Sequence, residues 1–88
     1  MTYELEFEEK ALKKFDKLNP QIAEQFINKL EAVLKNPKIP SKKLKGSNDL
    51  YKIKLRSVGY RLVYQVIDER VIVLVLDVGR RDMIYKGL

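Results

Sequence analysis

Tyr3, Leu5 and Phe7 alternate with Thr2, Glu4 and Glu6, the period of a half-buried strand that ends near Phe7. From Glu8 to Leu18 the period changes. Apolar residues fall at Ala11, Leu12, Phe15 and Leu18, a helical stripe whose first turn carries Glu8 and Glu9, the sign that suits the positive end of a helix dipole. Asn19-Pro20 then supplies an N-cap and a proline at the first helical position, where its missing N–H costs nothing. The second helix follows with the stripe Ile22, Phe26, Leu30, Val33 and Leu34, and Pro37 and Pro40 stop it. The two helices form a hairpin with one apolar side, which requires a sheet to cover. Residues 36–49, with Pro37, Pro40, Gly46 and four lysines, read as a basic connection without regular structure.

Strand periodicity returns at Tyr51, where Tyr51, Ile53 and Leu55 alternate with Lys52, Lys54 and Arg56. After a turn around Ser57 to Gly59, Tyr60, Leu62, Tyr64 and Val66 alternate with Arg61, Val63 and Gln65. Pairing these runs by face sets opposed residue numbers to sum to about 115, so Tyr51 meets Tyr64, Ile53 meets Leu62 and Lys54 meets Arg61. One face of the hairpin is apolar and the other carries cations. Asp68-Glu69 makes the next tight turn, and Val71 to Leu76 is apolar without alternation, as in an interior strand covered on both faces. On the cation face this places Val63, Ile72, Leu74 and Leu76 beside the charge. Two coverings fit such a strip, a partner's segment or the chain's own tail from Gly79 to Leu88. The expected fold is α+β, a small antiparallel sheet of about four strands with a two-helix hairpin on one face, in the order β-α-α-β-β-β.

Eighty-eight residues suffice for one domain with a modest core, so residues 1–88 are expected to form a single domain with one site on one surface. The chain has neither Cys nor His. That removes disulfides, thiolate metal sites, the commonest metal ligand and the commonest general base near neutral pH, and with them zinc enzymes and two-histidine ribonucleases. The acidic residues form no cluster that a hard cation needs, and no cofactor or metal is expected. Met1-Thr2-Tyr3-Glu4 does not open a targeting segment and no run of about 18 apolar residues exists, so the expected location is the cytoplasm, with no membrane partner.

The net charge of +6 is unevenly spread. Residues 1–34 hold five basic and seven acidic side chains, residues 35–61 nine and one, and residues 62–88 four and four. The central surplus comprises Lys35, Lys38, Lys42, Lys43, Lys45, Lys52, Lys54, Arg56 and Arg61 against Asp49. Such asymmetry is the footprint of a polyanion binder, and lysines kept for solubility are the plainer alternative.

Lys52, Lys54 and Arg61 share one sheet face at alternating and cross-strand spacing, so their head groups can converge on one phosphate. Arg81, past the last strand, can close the same site from a third direction. Cutting RNA without metal or histidine requires attack of a 2′-hydroxyl on the adjacent phosphate, through a transition state with added negative charge that fixed cations stabilise. Arginine offers phosphate a bidentate fork, whereas a lysine among other cations has a lowered pKa and can accept a proton. Tyr85 in the tail can stack on a base or transfer a proton. A solvated strand face would also carry lysines, but like charges side by side cost stability, which suggests that an anion belongs there. Tyr51, Tyr60 and Tyr64 alternate onto the helix side and read as core.

The run YKIKLRSVGYRLVYQVID, Tyr51 to Asp68, closely resembles the central hairpin of RelE toxins, members of the RelE/ParE superfamily of type II toxin–antitoxin systems. LKKFDKLNPQI, KNP, LKG and DVGRRDMIY follow that family's order, so the resemblance covers nearly the whole chain. It implies a RelE-like fold with the substrate over the face opposite the helices, and messenger RNA cleavage in the ribosomal A site. The enzyme class implied is a metal-independent endoribonuclease leaving a 2′,3′-cyclic phosphate and a 5′-hydroxyl, which inhibits translation. The family's catalytic cations match Lys52, Lys54, Arg61 and Arg81. Lys54 is then the general base, Arg61 and Arg81 stabilise the transition state, Lys52 assists with phosphate charge, and Tyr85 corresponds to the base-stacking tyrosine. Lys42, Lys43, Lys45, Arg56 and Arg80 are the expected RNA and ribosome contacts. The stretch from Arg81 to Tyr85 is shorter than the family's best-known pattern, and with the chain ending at Leu88 a reduced C-terminal helix is expected to alter docking.

The partners implied are the ribosome, messenger RNA and a RelB-like antitoxin, with operator DNA reached only through the antitoxin complex. Two rivals remain at this stage. A ParE-like gyrase poison shares the fold but does not need the four cations together, and a non-catalytic nucleic-acid-binding or repressor module would bind through them without a reaction.

Overall fold

The computed structural model describes residues 2–44, 46 and 49–80. Its elements run β1 (Glu4–Phe7), α1 (Glu9–Asp16), α2 (Pro20–Lys35), β2 (Leu50–Leu55), β3 (Tyr60–Ile67) and β4 (Ile72–Arg80), with short 3-10 turns at Pro40–Lys42 and Asp68–Arg70. This is the α+β architecture that the periodicities predict. The strands form one sheet in the order β1-β4-β3-β2, antiparallel from β2 through β4, while β1 joins the far edge parallel to β4. Antiparallel pairing therefore holds for three of the four strands. Alternation along residues 2–7 identifies a strand but carries no information about the direction of its neighbour.

Asn19 caps α2 as expected, its side-chain oxygen accepting the Gln21 N–H at 2.8 Å. Phe26, Leu30 and Val33 are buried on one side of α2, and Ala11 is buried on α1, all against the sheet face formed by Tyr51, Ile53, Leu55, Leu62, Tyr64, Val66, Val73, Val75 and Val78. Each large apolar side chain removed from water in this way contributes about 1.5–3 kcal/mol, which is what fixes the helix hairpin on that face. Leu12, part of the predicted stripe, is instead 43% exposed.

Tyr51 and Tyr64 stack across the β2–β3 ladder with ring centroids 5.5 Å apart, and the Tyr64 hydroxyl donates to the Pro37 carbonyl at 2.8 Å. Burial raises the Tyr64 phenol above its ordinary range, so it remains a neutral hydrogen-bond donor. These tyrosines are core, as alternation predicts. The connection after α2 is more ordered than its composition suggests. Lys43 bridges Tyr51, the Leu44 N–H reaches the Leu50 carbonyl at 2.8 Å, and Lys38 and the Tyr3 hydroxyl both engage the Asp68 carboxylate.

The β2–β3 register is the predicted one at every pair, including Tyr51 with Tyr64, Ile53 with Leu62 and Lys54 with Arg61. The β3–β4 ladder contains a shift that periodicity did not reveal. Val63 pairs Asp77 but Tyr64 pairs Val75, which leaves Leu76 as an extra residue in β4. Strand β4 consequently changes parity. Val73 and Val75 are in the core before the bulge, Val78 after it, and Gly79 falls opposite Arg61.

Candidate nucleic-acid interface

The side chains of Lys52 and Lys54 emerge from β2 on the face away from the helices because Tyr51, Ile53 and Leu55 occupy the other face as core. Same-face residues of one strand are about 6.6 Å apart and directly opposed residues about 5 Å, so Lys52, Lys54 and Arg61 form a triangle whose long arms reach a common point. Lys52, Lys54 and Arg61 are half-buried and Arg56 is exposed. Among the described residues, the ion pairs are Lys13 with Glu9, Lys14 with Asp77 and Lys38 with Asp68, and none of them involves Lys52, Lys54 or Arg56. The Lys52 ammonium beside it, then desolvation, then Arg61 and Arg56, hold the Lys54 amine below the ordinary lysine range. A lysine amine lowered in this way gives up its proton more readily than an ordinary one, and the Arg61 guanidinium can fork onto phosphate oxygens.

Two shallow clefts flank this group. One, about 310 Å³, is lined by Ser41, Lys42, Lys52, Lys54 and Arg56, and the other, about 290 Å³, by Lys54, Leu55, Arg56, Gly59, Tyr60 and Arg61. Both share Lys54 and Arg56, so these cations form the ridge between two troughs. An open pair of troughs with a cationic ridge suits an extended polyanion better than an enclosed small molecule.

Of the residues singled out from the sequence, the fold brings together Lys42, Lys52, Lys54, Arg56 and Arg61. Antiparallel bridging of Lys43 with Tyr51 turns Lys42 toward Lys52 and leaves Lys43 outside both clefts. Arg80 pairs with Tyr60 and lines a separate apolar cleft with Lys14, Lys17, Leu18, Tyr60, Val78 and Gly79. Lys45, Arg81 and Tyr85 lie outside the described residues. Sequence reasoning missed Ser41, brought to the cleft by the 3-10 turn that begins at Pro40, although a Pro-Ser pair after a helix is a usable turn signal.

The apolar strip expected beside the cations is less open than its composition implied. Val63 is fully buried and Ile72 is 5% exposed, both outside the main core, while Leu74 and Leu76 are partly exposed. Val63 is small and sits on an interior strand between Lys52 and Asp77, so it does not present an open groove. Of the tail, the other covering considered, Gly79 and Arg80 continue β4 and residues 81–88 lie outside the described residues.

An antiparallel three-stranded core with a parallel edge strand, a helix hairpin on one face and a cation row on the other defines a class of small basic α+β proteins. A profile described as the ParE toxin of the type II toxin–antitoxin system, parDE, matches residues 5–85. The mRNA interferase toxin RelE of Escherichia coli strain K12 is 56% identical over 82 residues, covering 93% of this chain and 86% of that protein. The crystal structure of the isolated E. coli RelE toxin superposes with a TM-score of 0.87 at 56% identity, over 89% of this chain and 83% of that one. The same fold in the intact E. coli RelBE toxin–antitoxin complex gives 0.86 at 56% identity, over 89% and 95% of the two chains. The chain belongs to the RelE/ParE family of type II toxin–antitoxin toxins. No helix among the described residues is long and apolar enough to cross a membrane.

Proposed function

We propose that this chain acts as a single-domain toxin that cleaves messenger RNA on the ribosome and is neutralised by a RelB-like antitoxin. The observation that carries this reading is the placement of Lys52, Lys54 and Arg61 on one face, with Lys54 opposite Arg61 and its amine depressed chiefly by Lys52. The identity to a protein named mRNA interferase toxin RelE, and the likeness to a toxin seen in complex with its antitoxin, support the same conclusion.

In the proposed reaction Lys54 removes the proton of a ribose 2′-hydroxyl, and the 2′-oxygen forms a bond to the adjacent phosphorus. The bond from phosphorus to the 5′-oxygen breaks, the leaving oxygen takes up a proton, and the products are a 2′,3′-cyclic phosphate and a 5′-hydroxyl. Arg61, with Lys52, balances the charge that grows on the phosphoryl oxygens. Arg81 and Tyr85 are proposed, on sequence alone, to act at the leaving oxygen and on a substrate base. No metal ion is required in this scheme, which a chain without His or Cys favours. Poised acid–base groups are few, so the ribosome is assigned the task of orienting the 2′-hydroxyl for attack. A cytoplasmic location follows from that substrate.

A gyrase-directed activity is the second reading, because the matching profile is described as a ParE toxin. The cation row favours RNA. Primer extension on a messenger RNA in a purified translation system, with and without ribosomes and with a chelator in one arm, separates the two. Cuts inside codons that need ribosomes and survive chelation are expected. Intact RNA with a folded protein, together with inhibited gyrase, would overturn the proposal.

A further inference from the structure

Gly79 occupies a place in β4 where nothing among the described residues calls for glycine. Gly46 and Gly59 have positive φ angles of 80° and 69° and sit in turns, whereas the backbone of Gly79 is open to any residue. A Cβ built on Gly79 meets no atom within 4 Å among the described residues, so close packing does not demand it either. Glycine within a strand weakens it, through backbone entropy and the lost side chain. A bare strand position that neither φ nor packing among the described residues explains suits a point where something from outside approaches the backbone closely.

The Gly79 backbone borders the apolar cleft beside α1, and the ladder register identifies the face its missing side chain would take. Gly79 pairs with Arg61, which pairs with Lys54, so the three make one row across the sheet with two cations at one end and bare backbone at the other. The bulge at Leu76 produces this row. Had β4 kept the parity of Val73 and Val75, Gly79 would face the core and Val78 would stand beside Arg61.

We propose that Gly79 sets the clearance of the cationic site, a bare stretch of β4 against which the sugar–phosphate chain of the bound RNA lies while Lys54 and Arg61 hold its phosphate. The inference rests on the reading of the row as an RNA-cleaving site. A side chain at this position would project about 5 Å from Arg61 into the path of the strand. Gly79 itself does no chemistry. It is a positioning residue, and its replacement displaces the phosphate from the cations rather than removing a charge.

The test is the single-turnover cleavage rate on ribosome-bound messenger RNA for Gly79→Ala, Gly79→Val and Arg61→Ala, alongside thermal unfolding of each. Stability is expected to hold or rise in both Gly79 variants, because Ala and Val suit a strand better than Gly. Cleavage is expected to fall with side-chain size, to a loss on the order of 10²-fold for Gly79→Val. The opposite signs of the two effects distinguish clearance from folding. Wild-type rates in Gly79→Val, with Arg61→Ala inactive, would overturn the clearance inference while leaving the nuclease reading intact. Parallel loss of stability and activity would also overturn it, by assigning the glycine to the fold. A wild-type protein that leaves the RNA uncut would remove the underlying reading and the inference together.

Discussion

Lys54 on β2 stands opposite Arg61 on β3, like charges on one rung of an antiparallel ladder. Such a pair works against the sheet that holds it, since opposed like charges destabilise a strand pairing. Replacing Lys54 by Thr is therefore predicted to raise the melting temperature while lowering cleavage at least ~10²-fold, the usual contribution of a general base. Thermal unfolding and cleavage assays on one preparation check both signs. A variant that is less stable and equally active contradicts the assignment.

Lys52 is the largest single cause of the lowered Lys54 pKa. A general base acts when unprotonated, so the cleavage rate is predicted to rise with pH along a limb whose midpoint lies below the ordinary lysine value of about 10.4. Lys52→Met removes the neighbouring charge, lets the Lys54 pKa return upward, and is predicted to move that limb to higher pH. Stability follows the same shift. Between the lowered folded value and the ordinary one, the unfolded chain binds more protons at Lys54, so the penalty fades as pH rises through that window. Rate profiles of the two proteins, taken across the alkaline range, decide the point.

The Asp77 carboxylate secures the β4 bulge from two sides. One oxygen accepts the Val78 N–H at 2.9 Å and the Lys14 ammonium from α1 at 2.8 Å. Asp77→Ala is predicted to cost about 1–2 kcal/mol, and Asp77→Asn less, because the amide oxygen still accepts from Val78. Urea denaturation midpoints of the two variants provide the comparison. Equal losses would mean that the ion pair, and not the bulge contact, carries the effect.

Tyr64 is fully buried and its hydroxyl is tied to the Pro37 carbonyl. Tyr64→Phe orphans that carbonyl and is predicted to cost about 1–2 kcal/mol of stability. Cleavage per folded molecule is predicted to stay at the wild-type level, because the ring faces the helices and not the cations. Loss of activity without loss of stability would move Tyr64 into the site.

The hairpin register was legible in the sequence because the alternation of Tyr51, Ile53 and Leu55 and of their partners on β3 fixes the face, and the short turn around Ser57 to Gly59 fixes which residues pair. The convergence of Lys52, Lys54 and Arg61 follows from that register alone. The run from Val71 to Leu76 hid its parity, since a strand apolar on both faces gives no signal of which residue points where. Asp77 and Gly79, which follow that apolar run, are the usable sign of a bulge. Lys42 and Lys43 are neighbours of equal charge, and only the bridge between Lys43 and Tyr51 separates the one that reaches the cleft from the one that does not. The parallel edge pairing of β1 depends on how α1 and α2 carry the chain across the sheet, a tertiary result that local alternation does not encode.

The most direct measurement is the single-turnover rate of cleavage of ribosome-bound messenger RNA by the wild-type protein, Lys54→Ala and Arg61→Ala, with circular dichroism showing that all three are folded. Cleavage by the wild type and loss of at least ~10²-fold in each variant is the predicted result. Two folded variants that cut at the wild-type rate would contradict the placement of the chemistry on the cationic face.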